Sequence, residues 1–216
     1  MTQPQALLLD AMGTLIGLRQ SVGTLYGAAA ADYGLELEAE ALDRAFAQAY
    51  SQAPPLTFPE VAPAHLEQAE RSWWQQRIEA TFQAVGVKHL PIGLAGELFD
   101  RFAQPEPWAV YPEVPDALER WRQSGLALIV VSNFDRRLHG LLERLGLRDA
   151  VDGVLVSSEA GAAKPDPALL EAAIAQVPCS AEQALLIGDS GADEQAAAAA
   201  GMRCLRLQRP SGLLVP

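Results

Sequence analysis

Five short apolar runs, each broken off at a polar residue or a turn, constrain this chain more than any other feature. They are ALLLD at 6–10, LALIVVS at 126–132, GVLVSS at 153–158, ALLIGD at 184–189 and RCLRL at 203–207. Runs this short, and this rich in leucine and β-branched residues, read as buried strands. Helical patterns follow from residue 126 onward. Leu138, Leu141, Leu142 and Leu145 fall at i, i+3, i+4 and i+7, with Gly146 placed to end the helix. Leu169, Leu170, Ala173, Ile174 and Val177 repeat the pattern, with Asp166 as N-cap and Pro167 at the first helical position. AAAAAG at 196–201 fits a tightly packed helix with a glycine stop. Strand and helix in alternation imply a doubly wound parallel sheet with helices on both faces.

Between the first two runs lie more than a hundred residues with no convincing strand, and these read as an insertion. Val22, Leu25, Tyr26, Ala29 and Tyr33 form one helical stripe ending near Gly34, and Leu42, Ala45, Phe46 and Ala49 another. Trp74, Ile78, Phe82 and Val85 mark a third helix, and Leu98, Phe99 and Phe102 a fourth. The proline-rich QPEPWAVYPEVP leads back to the sheet. The expected division is an α/β core domain over 1–16 and 107–216 with a helical cap domain over 17–106.

Composition excludes several classes of partner. Sixteen Lys and Arg against 27 Asp and Glu leave a formal charge of −11, with no basic run. Such a chain repels a nucleic-acid backbone or an anionic membrane, so neither is an expected partner. LALIVV is far too short to cross a membrane. Cys179 and Cys204 are too few for a disulfide framework, and the opening MTQPQ carries no basic stretch ahead of an apolar one. A cytoplasmic enzyme with reduced thiols, acting on a small molecule as a monomer or homodimer, is the expectation.

The carboxyl ends of parallel strands form the crevice where α/β proteins bind ligands. Asp10 ends the first run and Ser132-Asn133 the second. Lys164 follows the third in AGAAKPDP, and Asp189 and Asp193 follow the fourth in GDSGAD. Each has an ordinary reading when taken alone. An Asp after a strand serves turns, Ser and Asn cap helices, a lysine is solvated, and Asp189 or Asp193 caps the helix that follows. Their joint placement is what points to a site.

The set DAMGTL, VSN, KPDP and GDSGAD, in that order and strand context, resembles the four motifs of the haloacid dehalogenase superfamily of hydrolases. The helical insertion is similar to that superfamily's cap, and VGTLYGAAA, WW, VYPEV and SNFDRRL resemble its phosphatase-like branch. The resemblance implies a Rossmann-like α/β core and gives each residue a role. Asp10 becomes the nucleophile that forms a covalent aspartyl intermediate. Lys164 supplies positive charge, while Ser132 and Asn133, with Thr14 and Arg19, bind the substrate's phosphate or carboxylate. Asp10, Asp189 and the Met12 carbonyl hold magnesium, and Asp193 either holds a metal-bound water or orients Lys164. Hard oxygen donors suit magnesium better than zinc, and His65, His89 and His139 show no ligand spacing.

Met12 departs from the D-x-D-G-T pattern of the superfamily's phosphatases, whose second Asp protonates the leaving group. General acid–base help is worth roughly 10² to 10⁴ in rate, so a magnesium-dependent phosphatase lacking it is expected to be slow on alkyl esters. The superfamily's 2-haloacid dehalogenases are the rival, since halide leaves without a proton and they need no metal. They typically lack the paired acids of the fourth motif, however. Two carboxylates facing Asp10 repel one another unless a cation sits among them, which favours the phosphatase. Phosphonate hydrolases use a cap lysine; Lys88 beside His89 reads better as a surface residue. A binding protein with a vestigial site is the expectation from another class.

Overall fold

The computed structural model describes residues 3–209. Five strands form one sheet in the order β5-β4-β1-β6-β7: β1 (Ala6–Leu9), β4 (Ala127–Ser132), β5 (Gly153–Val156), β6 (Ala184–Gly188) and β7 (Arg203–Arg206). Every pairing is parallel, and Leu9 of β1 lies between Val130 of β4 and Ile187 of β6. Successive side chains alternate between the faces of a strand. Ala6, Leu8, Ile129, Val131, Ala184 and Leu186 accordingly share one core with Leu170 and Ala173 of α8 (Ala168–Ile174) and Ala196 and Ala197 of α9 (Gly191–Ala199). Leu7, Leu9, Leu128, Val130, Leu185 and Ile187 point the other way and are buried as well. Both faces are therefore covered at β1, β4 and β6, which is why these central strands read as unbroken apolar runs. Burying each such leucine is worth about 1.5–3 kcal/mol relative to leaving it exposed.

The strand order reverses at β1. After β1 the chain builds outward through β4 and β5, then crosses to β6 and β7 on the other side. That reversal opens a crevice beyond the carboxyl ends of β1, β4 and β6.

Two compact units divide the chain. The first takes the residues through Gly17, the stretch Leu56–Glu60, and everything described from Val110; the second takes Leu18–Pro55 and Val61–Ala109. The helical unit thus begins one residue later and ends three residues later than the expected 17–106, and one loop of the insertion returns to the sheet unit. Leu56 is buried there and its carbonyl accepts from Ser157 Oγ at 2.8 Å. No helical or strand period marks such a loop, so its destination was not readable from the sequence.

The second unit is helical: α1 (Val22–Ala31), α2 (Ala39–Ser51), α3 (Leu66–Ala84) and α4 (Leu94–Arg101). Tyr26, Leu42, Ile78, Phe82, Leu94 and Leu98 form its core, with Tyr26 stacked on Phe82 at 5.8 Å. Trp73 rather than Trp74 sits on the buried stripe of α3. Contrary to the expectation of no strand in this region, β2 (Ile16–Leu18) and β3 (Trp108–Val110) pair as a ribbon. Three residues are too few to display an alternating pattern. Among the described residues, no helix is long and apolar enough to cross a membrane.

Two helix starts show how local chemistry fixes the loops near the crevice. Asp166 does not cap α8 as expected; Pro167 holds the N-cap position, and Asp166 Oδ1 instead accepts from the Ala168 N–H at 2.9 Å. Ser190 caps α9, and a reciprocal box joins its side chain and backbone to Asp193.

Candidate active site

Asp10 is the first residue beyond β1, and its N–H donates to the Ile187 carbonyl at 2.9 Å. The sheet's own ladder therefore fixes the backbone that carries this buried carboxylate. Lys164 reaches it from the loop after α7 (Ser157–Ala160). The lysine Nζ donates to Asp10 Oδ1 at 2.7 Å, Asp193 Oδ1 at 2.5 Å and the Val131 carbonyl at 3.0 Å. All three ammonium protons are thus engaged.

Each end of the Asn133 amide holds the main chain of that lysine. Its Nδ2 donates to the Lys164 carbonyl at 2.7 Å, and its Oδ1 accepts from the Lys164 N–H at 2.8 Å. Ser132 Oγ donates to Asp10 Oδ1 at 3.3 Å. Lys164 and Ser132 therefore both bind the same oxygen of Asp10. Among the described residues, Oδ2 of Asp10 accepts no hydrogen bond.

Asp193 has both oxygens taken, Oδ1 by Lys164 and Oδ2 by Ser190, whose N–H and Oγ donate at 3.0 and 2.5 Å. Of the two roles expected of Asp193, these bonds fit the one that orients Lys164. Asp193 is at the same time part of a helix cap, so the ordinary reading of that residue also describes it. Asp189 is only half-buried and lies against the loop after β1. A Cβ added at Gly13, where φ is +84°, would fall on the Asp189 carboxylate, and one added at Gly188 would fall on that of Asp193. Glycine is needed at both points for backbone to approach an acid.

The electrostatics follow from this crowding. Burial, opposed by Lys164 and reinforced by Asp193 and Asp189, pushes the Asp10 carboxyl up to about 6. Burial and then Asp193 also raise Asp189. Burial works against the charge on Asp193, but the Lys164 ammonium and the bonds from Lys164 and Ser190 outweigh it and hold that carboxyl below its ordinary range. Lys164 loses by desolvation and gains more from Asp10 and Asp193, so its ammonium is held above the usual lysine value. Lys164 acts on all three carboxylates, and Arg206 adds a weaker pull on Asp189 alone.

A sequence profile of haloacid dehalogenase-like hydrolases matches residues 4–201, which includes every group just described. The chain belongs to that family. A haloacid dehalogenase-like hydrolase domain-containing protein 3 of Bos taurus is 37% identical over 98% of this hydrolase and 84% of its own length. Two solved structures share the fold at lower identity. The L-2-haloacid dehalogenase of Xanthobacter autotrophicus with chloropropionic acid covalently bound gives a TM-score of 0.70 at 18% identity, over 97% of this chain and 79% of that one. The HAD phosphatase of Thermococcus onnurineus gives 0.64 at 20%, over 96% and 87%. The parallel α/β fold of the haloacid dehalogenase-like hydrolases is what this chain adopts.

Other expected site residues of the hydrolase lie as follows. Met12 is 46% exposed in the loop after β1. Thr14 is fully buried, and its hydroxyl finds no partner among the described residues. Asn133 is half-buried and bonds the Lys164 main chain with one Nδ2 proton, which leaves the second proton of that amide for another acceptor. Arg19 belongs to the helical unit, where it is exposed and lines a concavity of about 870 Å³ with Glu97, Asp100, Arg101 and Glu106. Lys88 is an exposed residue of the same unit. Among the described residues, no three His, Cys, Asp or Glu side chains converge tightly enough to hold a metal by themselves. Sequence reasoning missed Ser190, although the spacing S-x-x-D ahead of a helix was a signal for its capping box.

Two substitutions separate these contacts. Lys164→Met leaves Asp10 and Asp193 facing each other without their ammonium, and is expected to cost about 3–5 kcal/mol of folding stability at neutral pH. Urea unfolding measures it, and a loss below 1 kcal/mol would show that the cluster is hydrated rather than buried. Gly13→Ala is expected to cost about 1–3 kcal/mol through its backbone angle and to lower turnover beyond what that loss explains, because the methyl displaces Asp189. Comparing kcat with the unfolding midpoint checks this.

Proposed function

We propose that this hydrolase is a magnesium-dependent phosphatase of a small phosphorylated metabolite, working through an aspartyl-phosphate on Asp10. The observation that carries the reading is the surplus of negative charge: Asp10, Asp189 and Asp193 against Lys164 and a weaker pull from Arg206 on Asp189, with Asp10 pushed up to about 6 and Asp189 also raised. A site meant to act without a divalent cation gains nothing from two acids that resist ionisation. Asp10, Asp189 and the Met12 carbonyl make a donor set of hard oxygens, which suits a cation that keeps several of its waters. Bound there, magnesium supplies charge to offset the transferring phosphoryl oxygens.

The chain's own residues do the rest. Lys164 and Ser132 orient the Asp10 carboxylate by one oxygen and leave the other to bond outward. Attack forms an Asp10–phosphorus bond as the ester bond to phosphorus breaks, and the leaving oxygen carries off the electron pair. Water then cleaves the acyl phosphate, freeing inorganic phosphate and restoring Asp10. Lys164 stays protonated throughout, since Asp10 and Asp193 hold its ammonium in place. With Met12 where an acid would stand, no side chain protonates the leaving oxygen, so esters of good leaving groups react best.

Release of p-nitrophenol from p-nitrophenyl phosphate, with and without magnesium, tests the reading. Turnover that needs the metal supports it. Chloride release from 2-chloropropionate without metal supports the dehalogenase reading instead, for which the aprotic Met12 is the favouring observation. Activity in neither assay leaves a binding protein.

A further inference from the structure

We infer that Arg209 is a positioning residue of this site: its guanidinium straps down the loop after β1 so that Asp10, Met12 and Gly13 keep their places against Asp189. Nothing in the four-motif pattern assigns it. Arg209 lies just beyond β7, and Nε donates to the Gly13 carbonyl at 3.2 Å while Nη2 donates to the Thr14 carbonyl. Its Nη1 pairs with Glu113 Oε1, and the guanidinium carbon sits 3.4 Å from the centroid of the Tyr111 ring. One planar group is therefore held by an acid and an aromatic face while it grips two consecutive carbonyls. Only a guanidinium offers that fork together with a stacking face.

The same few residues also reach the loop after β6. The Leu207 N–H donates to the Gly188 carbonyl at 2.7 Å, and Arg206 Nε donates to the Asp189 carbonyl at 3.3 Å. The stretch Arg206–Arg209 thus bonds to both loops that carry the acids. Its leverage is greatest at Gly13. That residue has no side chain to hold it, and its Cα packs where any Cβ would meet the Asp189 carboxylate. The turn itself is closed by Gly13 N–H to the Ile16 carbonyl at 2.8 Å and by the Leu15 and Ile16 N–H groups sharing the Ala11 carbonyl at 2.8 and 3.0 Å. Those bonds shape the turn, whereas Arg209 fixes where it sits.

Arg209→Gln in the full chain is the test, read by hydrogen exchange on metal-free protein. The amides of Gly13, Leu15 and Ile16 are expected to exchange about ten- to hundredfold faster, because two charge-assisted bonds are lost, while those of Leu8 and Val130 keep their rates. Glu113→Gln loosens the same amides to a smaller degree, and Arg209→Lys fails to restore them because a single ammonium cannot span both carbonyls and the ring. In the magnesium-dependent assay, on which this part of the inference rests, the metal concentration for half-maximal activity rises by a larger factor than kcat falls. Unchanged exchange at residues 13–16, uniform acceleration across the sheet, or full restoration by lysine would overturn the strap. Localised loosening in a protein that shows no metal-dependent turnover leaves the strap standing and sinks the phosphatase.

Discussion

Asp10→Asn is expected to abolish turnover and, in the same protein, to make the fold harder to unfold. The first effect follows from chemistry: an amide oxygen at position 10 cannot form the acyl phosphate, and loss of a covalent nucleophile costs at least about 10⁴-fold in kcat. The second follows from charge. In metal-free protein the Asp10 carboxyl titrates near 6, against 3.8 for the free group, because burial, Asp193 and Asp189 outweigh the help from Lys164. Between those two values the folded state binds more protons than the unfolded one. The stabilisation carried by that proton is complete below about pH 4 and is lost as pH rises through 6. Asparagine carries no such titration. The variant should therefore match the wild type in stability near pH 4 and exceed it by about 1–3 kcal/mol at pH 7 and above. Urea denaturation at several pH values reads the gap directly. Adding magnesium should narrow it, by stabilising the wild type more than the variant. A gap that is flat with pH would mean that Asp10 is already ionised at pH 4 and that no crowding exists for a cation to relieve.

The sheet was legible in the sequence because burial on both faces leaves its central strands apolar, so β1, β4 and β6 stand out from their surroundings and end on the residues that matter, whereas the edge strand β7 carries exposed arginines. The helices of the insertion were legible because their stripes repeat at the helical period. What escaped were features with no period. The strands β2 and β3 are three residues each, and the Leu56–Glu60 loop joins the sheet unit through a buried leucine and one hydroxyl. At the strand tips the residue types were readable but the partners were not. Asn133 was visible as a polar residue after β4, yet only the fold shows that both ends of its amide bond the Lys164 main chain. Asp193 was visible as an acid with Lys164 as one possible partner, and its bonds to Ser190 were not. Arg209 lies 196 residues from Gly13, beyond the last strand, and nothing in its neighbours marks it as bonded to the first loop. Long-range hydrogen bonds to main-chain carbonyls leave no trace in residue type, because every residue has a carbonyl to offer.

Met12→Asp should raise turnover of alkyl phosphates by about 10² to 10⁴ while changing that of p-nitrophenyl phosphate far less. A poor leaving group such as an alkoxide departs with a full negative charge unless it receives a proton, so a side-chain acid at this position removes much of its barrier. A nitrophenolate already leaves as a stable anion and has little to gain. The diagnostic quantity is therefore the ratio of kcat/KM for an alkyl ester to that for the aryl ester, which cancels any change in folding or metal content. Position 12 can accept the change, since Met12 is 46% exposed and its side chain fills no core. The added acid brings a fourth carboxylate to a cluster with one ammonium, so the variant should depend more steeply on magnesium than the wild type does. Because the new group must be protonated to donate, its alkyl-ester activity should also fall on the alkaline side, a limb the wild type lacks. Met12→Asn has the same shape without the proton and serves as the control, with no change in the ratio expected. An alkyl-to-aryl ratio that does not move in Met12→Asp would show that this side chain never faces the leaving oxygen, and the slow chemistry proposed for Met12 would have to be assigned elsewhere.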